Sequence, residues 1–142
     1  MPVSRHDLQR EVEKRLLNPG MRAMILAGWA PRLFVLVETT GRRTGRARLT
    51  PVQAALEDNT IWLVAEHGWR SAFVQNIAAN PHVRLKRGRQ WLSGEAVIVP
   101  DEDAWARRDK IDRRNGWLGR ADGAIFRKMA STPLAIRVRL DH

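Results

Sequence analysis

The sequence predicts an α+β protein: a small, mostly antiparallel β-barrel or sheet of about six strands, with two or three flanking helices. Three observations carry this. The strand-like segments are short and joined mostly by tight Gly, Asn or Asp turns, which makes sequence neighbours antiparallel. One helix-like segment interrupts them near the middle of the chain. The last segment alternates apolar and polar residues with the two-residue period of a half-buried strand. With 142 residues, 44% of them apolar, the chain is long enough to bury a core. No internal repeat or low-complexity linker breaks it, so residues 1–142 are expected to form one domain.

The elements follow in order. Leu8, Val12 and Leu16 recur every four residues and predict a helix over 5–17. Asn18-Pro19-Gly20 stops it, and a short second helix is expected over 21–27. Leu33 to Val37 is apolar on both faces and reads as a buried strand. Thr39 to Gly45 is a turn whose glycines supply unusual dihedrals. Arg46 to Leu56 is the returning strand, and Asp58-Asn59 turns it into another, Thr60 to Ala65. His67-Gly68 ends that strand. Ser71 to Ala79 reads as a helix with Ser71 as its N-cap, ended by Asn80-Pro81. Strands are expected at 82–87 and 90–99. Pro100-Asp101-Glu102-Asp103 opens a helix that runs toward Arg114, its acids opposing the helix dipole. Asn115-Gly116 breaks it, a shorter helix follows over Gly123 to Ala130, and Pro133 to Leu140 is the last strand. Most of the six tryptophans are expected in the core, with one or two left to wall a ligand pocket.

Composition narrows the function. Twenty-five Lys and Arg against 15 Asp and Glu give a net charge of +10. Such a surface attracts nucleic acid, anionic lipid or a phosphorylated cofactor, although an excess of Arg over Lys is equally the mark of a GC-rich genome. The absence of cysteine rules out disulfides and thiolate–metal sites. The four histidines are scattered without metal-ligand spacing. No nucleophile elbow, P-loop or GxGxxG segment is present. The longest apolar runs are too short to span a bilayer. The N-terminus lacks the apolar stretch of a secretory signal, so a cytoplasmic location is expected. The N-terminal helix carries Arg5, Arg10, Lys14 and Arg15 around its leucine stripe. It therefore allows peripheral membrane contact, or packing on the barrel.

Two regions have the composition of a ligand site. Gly41-Arg42-Arg43-Thr44-Gly45-Arg46-Ala47-Arg48 packs four arginines and a threonine into eight residues. Guanidinium forks and turn amides suit phosphate oxygens; a solvated basic hairpin has the same composition. The second region, Val64-Ala65-Glu66-His67 through Ala72-Phe73-Val74-Gln75-Asn76, leads from a strand end through a glycine turn into a helix N-terminus, which favours anions. His67 suits hydrogen bonding to a ligand or a surface role, and Asn76 suits packing, capping or ligand contact.

The segment Thr39-Thr40-Gly41-Arg42-Arg43-Thr44-Gly45-Arg46-Ala47-Arg48-Leu49-Thr50-Pro51-Val52, followed further on by Asn76-Ile77-Ala78-Ala79-Asn80-Pro81, resembles the signature of the deazaflavin-dependent nitroreductase family. The match covers roughly residues 33–99, and the C-terminal third only by layout. The resemblance implies a split β-barrel (an FMN-binding split-barrel-like fold) that binds coenzyme F420. It implies hydride transfer from the reduced deazaflavin to an electron-poor acceptor: a quinone, enone or nitroaromatic. By position it gives the cofactor's phosphate and oligoglutamate tail to Arg42, Arg43 and Thr44. It gives the ring and ribityl chain to Arg48, Leu49, Thr50, Pro51, Val52 and Gln53. Val64, Ala65, Glu66 and His67, with Ala72, Phe73, Gln75 and Asn76, close the other side. Members of the family carry tyrosines around the acceptor pocket, and this chain has none. Gln53 and Trp117 stand near two such places, and Trp117 is the weak candidate for the acceptor side.

Two other functions compete. The same fold serves if the ligand is FMN, haem, a lipid or a quinone merely bound. A basic nucleic-acid-binding protein would explain the charge, but no recognition motif or stacking platform accompanies it. A small-molecule acceptor is thus the expected partner, with no nucleic acid, and the chain is expected to be a monomer or a homodimer.

Overall fold

Six strands close into one barrel in the computed structural model, which describes residues 34–141. The helices expected over 5–17 and 21–27, and Leu33, lie outside the described residues. The strands are β1 (Phe34–Thr40), β2 (Ala47–Glu57), β3 (Thr60–Ala65), β4 (His82–Arg87), β5 (Gln90–Val99) and β6 (Leu134–Leu140). Their order around the barrel is β1-β2-β3-β6-β5-β4, and β4 pairs back onto β1. Every pairing is antiparallel. Among the described residues three α-helices flank the barrel: α1 (Ala72–Ala79), α2 (Ala104–Arg114) and α3 (Gly116–Met129). The expected α+β barrel is therefore the fold, and closure removes the free edges an open sheet would expose.

The interior follows the two-residue period. Val35, Val37, Ala54, Ile61, Leu63, Leu85, Ile136 and Val138 fill it, and α1 adds Phe73, Val74 and Ile77. These β-branched and leucine side chains fill a narrow barrel at close to crystal density. On the outer face of β2 and β3, Ala55, Trp62 and Val64 meet Ala104, Ile111 and Phe126 of α2 and α3. The two helices thus cover one flank of the barrel.

Several expectations need correction. The last helix spans 14 residues, from Gly116, not Gly123. Asn115 ends α2 and α3 starts at the next residue, because a single residue at φ 73°, Gly116, suffices to redirect the chain. α2 begins at Ala104, not at Pro100: only Asp103 of the acidic run caps it, its side chain accepting from the Ala106 amide at 3.1 Å. Ser71 occupies the N-cap of α1 but makes no side-chain cap bond. None of the five tryptophans among the described residues is buried. An indole is too bulky for this interior, and Trp62 and Trp91 lie instead under the guanidinium groups of Arg107 and Arg84.

Candidate functional site

The site starts from a change of partner along β2. Residues Ala47 to Gln53 pair with β1, and Ala54 to Glu57 pair with β3. Beyond Leu63, β3 continues on β6 alone, Val64 facing Ala135 and Ala65 facing Leu134. The two strands therefore part at Gln53. Pro51 sits in the parted stretch, opposite Leu36 of β1. It lacks an N–H to donate, and a strand tolerates that where one side is unpaired.

A cavity of about 360 Å³ fills the parting. From β2 it takes Thr50, Pro51, Val52 and Gln53; from the end of β3, Val64, Glu66 and His67; from the start of α1, Ala72 and Phe73. All of these were singled out from the sequence. Phe34, Ser71, Arg108, Asp122, Ile125 and Phe126 complete the wall, and sequence reasoning missed them. Only the i,i+4 spacing of Arg108 and Asp112 hinted that α2 carries a fixed charge pair.

The remaining candidates lie elsewhere. Arg42, Arg43 and Thr44 are exposed on the β1–β2 turn. Arg48 and Leu49 lie at the turn-proximal end of β2, after Ala47, Leu49 fully buried and Arg48 half-buried. Ala65 is inside the barrel. Gln75 donates to the Trp69 carbonyl at 2.8 Å. Trp117 lies outside the cavity, 77% exposed on α3.

The basic turn is fixed to the helix. The Gly41 amide donates to the Arg46 carbonyl at 2.7 Å and the Gly45 amide to the Gly41 carbonyl at 2.8 Å. The Thr44 hydroxyl accepts from the Arg46 amide at 3.2 Å. Buried Asn76 of α1 accepts from the Arg42 amide at 3.1 Å and donates to the Thr39 hydroxyl at 3.2 Å. Asn76 therefore ties the turn to the helix whose N-terminus lines the cavity. The exposed guanidinium groups of Arg43 and Arg46 stand on a mount held by buried polar bonds.

The opposite wall is a charged network. Arg108 donates from Nε to Asp112 at 2.7 Å and from Nη2 to Asp122 at 2.6 Å. Gln53 donates to Asp122 at 2.8 Å and accepts from Asn115 at 3.0 Å. Burial pushes the Asp112 carboxyl above the usual range, and Arg108 partly offsets this. On the third side His67 shares a hydrogen bond with Ser131 at 3.1 Å, across the loop that joins α3 to β6. Gly68 makes that approach possible. Its φ is 55°, and a Cβ there would meet the Thr132 carbonyl oxygen.

One polar atom of the wall is left over. The Thr50 hydroxyl oxygen is buried and has no hydrogen-bond partner among the described residues. Buried polar groups are nearly always paired, so a hydroxyl left unpaired on a cavity wall fits a ligand that supplies the partner. With Phe34, Val52, Phe73 and Phe126 as apolar wall, a charged wall opposite, an anion-suited turn and a helix N-terminus, the residues fit a flat, phosphorylated cofactor.

A closed antiparallel barrel with its cavity at the parting of two strands defines the split-barrel class. Comparison with known proteins narrows this. The family model for F420H(2)-dependent quinone reductase matches residues 19–141. The chain belongs to that family and is an F420-dependent reductase. No curated protein matches the chain. Solved structures share its fold. An F420-H2 dependent reductase aligns at 22% identity over 75% of this chain and 94% of its own, with a TM-score of 0.54. A domain-swapped dimer aligns at 22% over 97% and 100%, TM-score 0.55. HutZ, the heme storage protein of Vibrio cholerae, aligns at 12% over 100% and 92%, TM-score 0.54.

Proposed function

We propose that the cavity at the β2–β3 parting binds coenzyme F420 and that the chain positions it for hydride transfer to an electron-poor acceptor, a quinone, enone or nitroaromatic. The observation that carries the reading is the unpaired Thr50 hydroxyl on a cavity wall set next to the tethered basic turn. When bound, the reduced deazaflavin supplies the hydride. The chain's own residues do the rest. Arg43 and Arg46 meet the phosphate and the carboxylates of the tail. The first amides of α1, which the Ser71 side chain does not cap, would share that charge. Phe34, Phe73 and Phe126 exclude water from the ring, and Gln53 is held at one fixed orientation by Asp122 and Asn115. As hydride arrives, the acceptor oxygen gains negative charge and takes a proton from water. No protein nucleophile is needed; orientation and a dry pocket are what the fold supplies.

The test is a titration of the purified protein with coenzyme F420, followed by deazaflavin fluorescence, with FMN and haem in parallel. Saturable binding of F420 alone supports the reading. Arg43→Ala is expected to weaken it about tenfold, since charge-assisted hydrogen bonds each contribute about 1.5–3 kcal/mol when shielded and less when exposed. Binding of FMN or haem alone would replace the cofactor and keep the cavity. Acceptor identity then follows from turnover with a quinone, an enone and a nitroaromatic in turn.

A further inference from the structure

The outer face of α3 is apolar where solvent should favour charge. Trp117, Ala121, Ile125 and Met129 recur every four residues and form one stripe, with Leu118 beside it. Trp117 is 77% exposed, Met129 62%, Ile125 58% and Leu118 41%. The buried face of the same helix holds Gly119, Gly123 and Phe126. Apart from Phe126, the helix packs glycines inward and presents its large apolar residues outward, the reverse of what a water-facing helix needs. Scattered exposed apolar residues need no explanation, but a continuous stripe on one helix marks an interaction surface.

Cations flank the stripe, Arg120 beside Trp117 at its start and Lys128 three residues on from Ile125 at its end. Arg120 is three residues on from Trp117 and so its surface neighbour, and Arg127 lies seven residues further in the same row. With Arg113 they line a groove of about 350 Å³ between α2 and α3, in which Asp109 and Asp112 are the acidic members. Arg113 is engaged by Asp109 at 3.0 Å, and Arg127 stands 3.9 Å from Asp112. Lys128 and Arg114 extend the positive border at the surface. A tryptophan with aliphatic side chains on one arc, and arginines along its margin, is the pattern of a helix lying in a membrane interface. There the rings sit at headgroup depth, and the long cationic side chains reach the phosphates. Among the described residues no helix is long and apolar enough to cross a membrane.

We infer that α3 docks this protein on the surface of an anionic phospholipid bilayer, its apolar stripe in the interface and its arginine groove on lipid phosphates. Charge complementarity selects the occupant: a second copy of so basic a chain would set these arginines against one another. The stripe also forms the lip of the cavity, since Ile125 belongs to both. Docking through α3 therefore opens the cavity toward the bilayer, where an apolar acceptor would be dissolved. The docking itself stands independently of which cofactor the cavity holds.

The experiment is flotation of the full-length protein with vesicles of phosphatidylcholine alone and of phosphatidylcholine mixed with phosphatidylglycerol. The protein is expected to float with the mixed vesicles only, and less as salt rises. Arg120→Gln with Arg127→Gln is expected to lower the partition coefficient roughly thirtyfold, at about 1 kcal/mol per cation near such a surface. Trp117→Ser with Met129→Ser should abolish flotation while leaving the far-ultraviolet dichroism unchanged, because both side chains are exposed. Equal binding to both vesicle types, or to neither, overturns the inference. So does concentration-dependent dimerisation that Trp117→Ser with Met129→Ser removes while vesicles remain unbound. F420 binding, measured on the same variants without lipid, separates failure of docking from failure of the cofactor reading.

Discussion

Thr50 shows how one atom tests a site. Its hydroxyl is buried without a partner among the described residues, so removing it relieves a desolvation cost. Thr50→Val keeps the shape and removes the oxygen. The variant is expected to unfold at the same urea concentration as the wild type or a higher one, yet to bind F420 about three- to tenfold more weakly, the value of one hydrogen bond. Loss of stability with unchanged binding would mean the hydroxyl serves the fold. Glu38 makes a different point. It is 8% exposed and 3.6 Å from Arg84, and burial pushes its carboxyl above the usual range while Arg84 pulls it back. A raised folded value means that the proton is held more tightly in the native state. Its stabilising effect is complete below the ordinary carboxyl range and is lost as pH rises through the raised value. Asp112 adds in the same direction. Urea unfolding of Glu38→Gln between about pH 4 and pH 7 should therefore show the variant gaining on the wild type as pH rises. Parallel curves would assign no such role to Glu38.

At the scale of elements, the α2–α3 hairpin is where local preference and packing disagree. Gly123 lies inside α3, where Ala would be better for the helix by about 1 kcal/mol. A Cβ there would collide with the Asp112 carboxyl of α2. Asp112 is 1% exposed and holds Arg108, which in turn holds Asp122 and the cavity wall. Gly123→Ala is accordingly expected to destabilise by about 1–3 kcal/mol, the cost of overpacking a filled contact, measured by urea unfolding. Stabilisation would show that the hairpin can open to take the methyl group. The same packing explains why the start of α3 was missed in the sequence. Gly116, Gly119 and Gly123 depress helix propensity over its first half; Gly116 supplies the positive φ of the turn, and Gly119 and Gly123 supply close approach to α2 and Gln53. Strands suffer no such conflict. β3, β4 and β5 match their sequence-derived limits, because Asp58-Asn59, Asn80-Pro81 and Arg87-Gly88 punctuate them locally.

Over the whole molecule, the distribution of charge decides how ligands arrive. Basic residues gather where function is proposed, with four arginines on 42–48 and eight cations against three acids on α2 and α3, and a further four cations stand on 84–89. Binding of F420, whose tail is polyanionic, is expected to weaken steadily as salt rises, and Arg43→Ala should flatten that slope, both read from titrations at several ionic strengths. A salt-independent affinity would place the recognition in the cavity alone.

The sequence by itself determined the strands, their antiparallel order along the chain and the two segments proposed to carry the ligand chemistry. All of these are local: turn residues, a two-residue period, and motifs contiguous in the chain. Thr50 to Gln53 of β2 and Val64 of β3 lie on one cavity because their positions along two neighbouring strands already bring them together, whereas Arg48, Leu49 and Ala65 do not reach it. Tertiary structure alone decided the rest. That β2 changes partner at Gln53, that β4 closes on β1, and that Arg108 and Asp122 form the far wall all depend on contacts between residues distant in sequence. The tryptophans went outward for the same kind of reason. Their burial depends on the volume left inside a six-stranded barrel, a quantity no local pattern encodes.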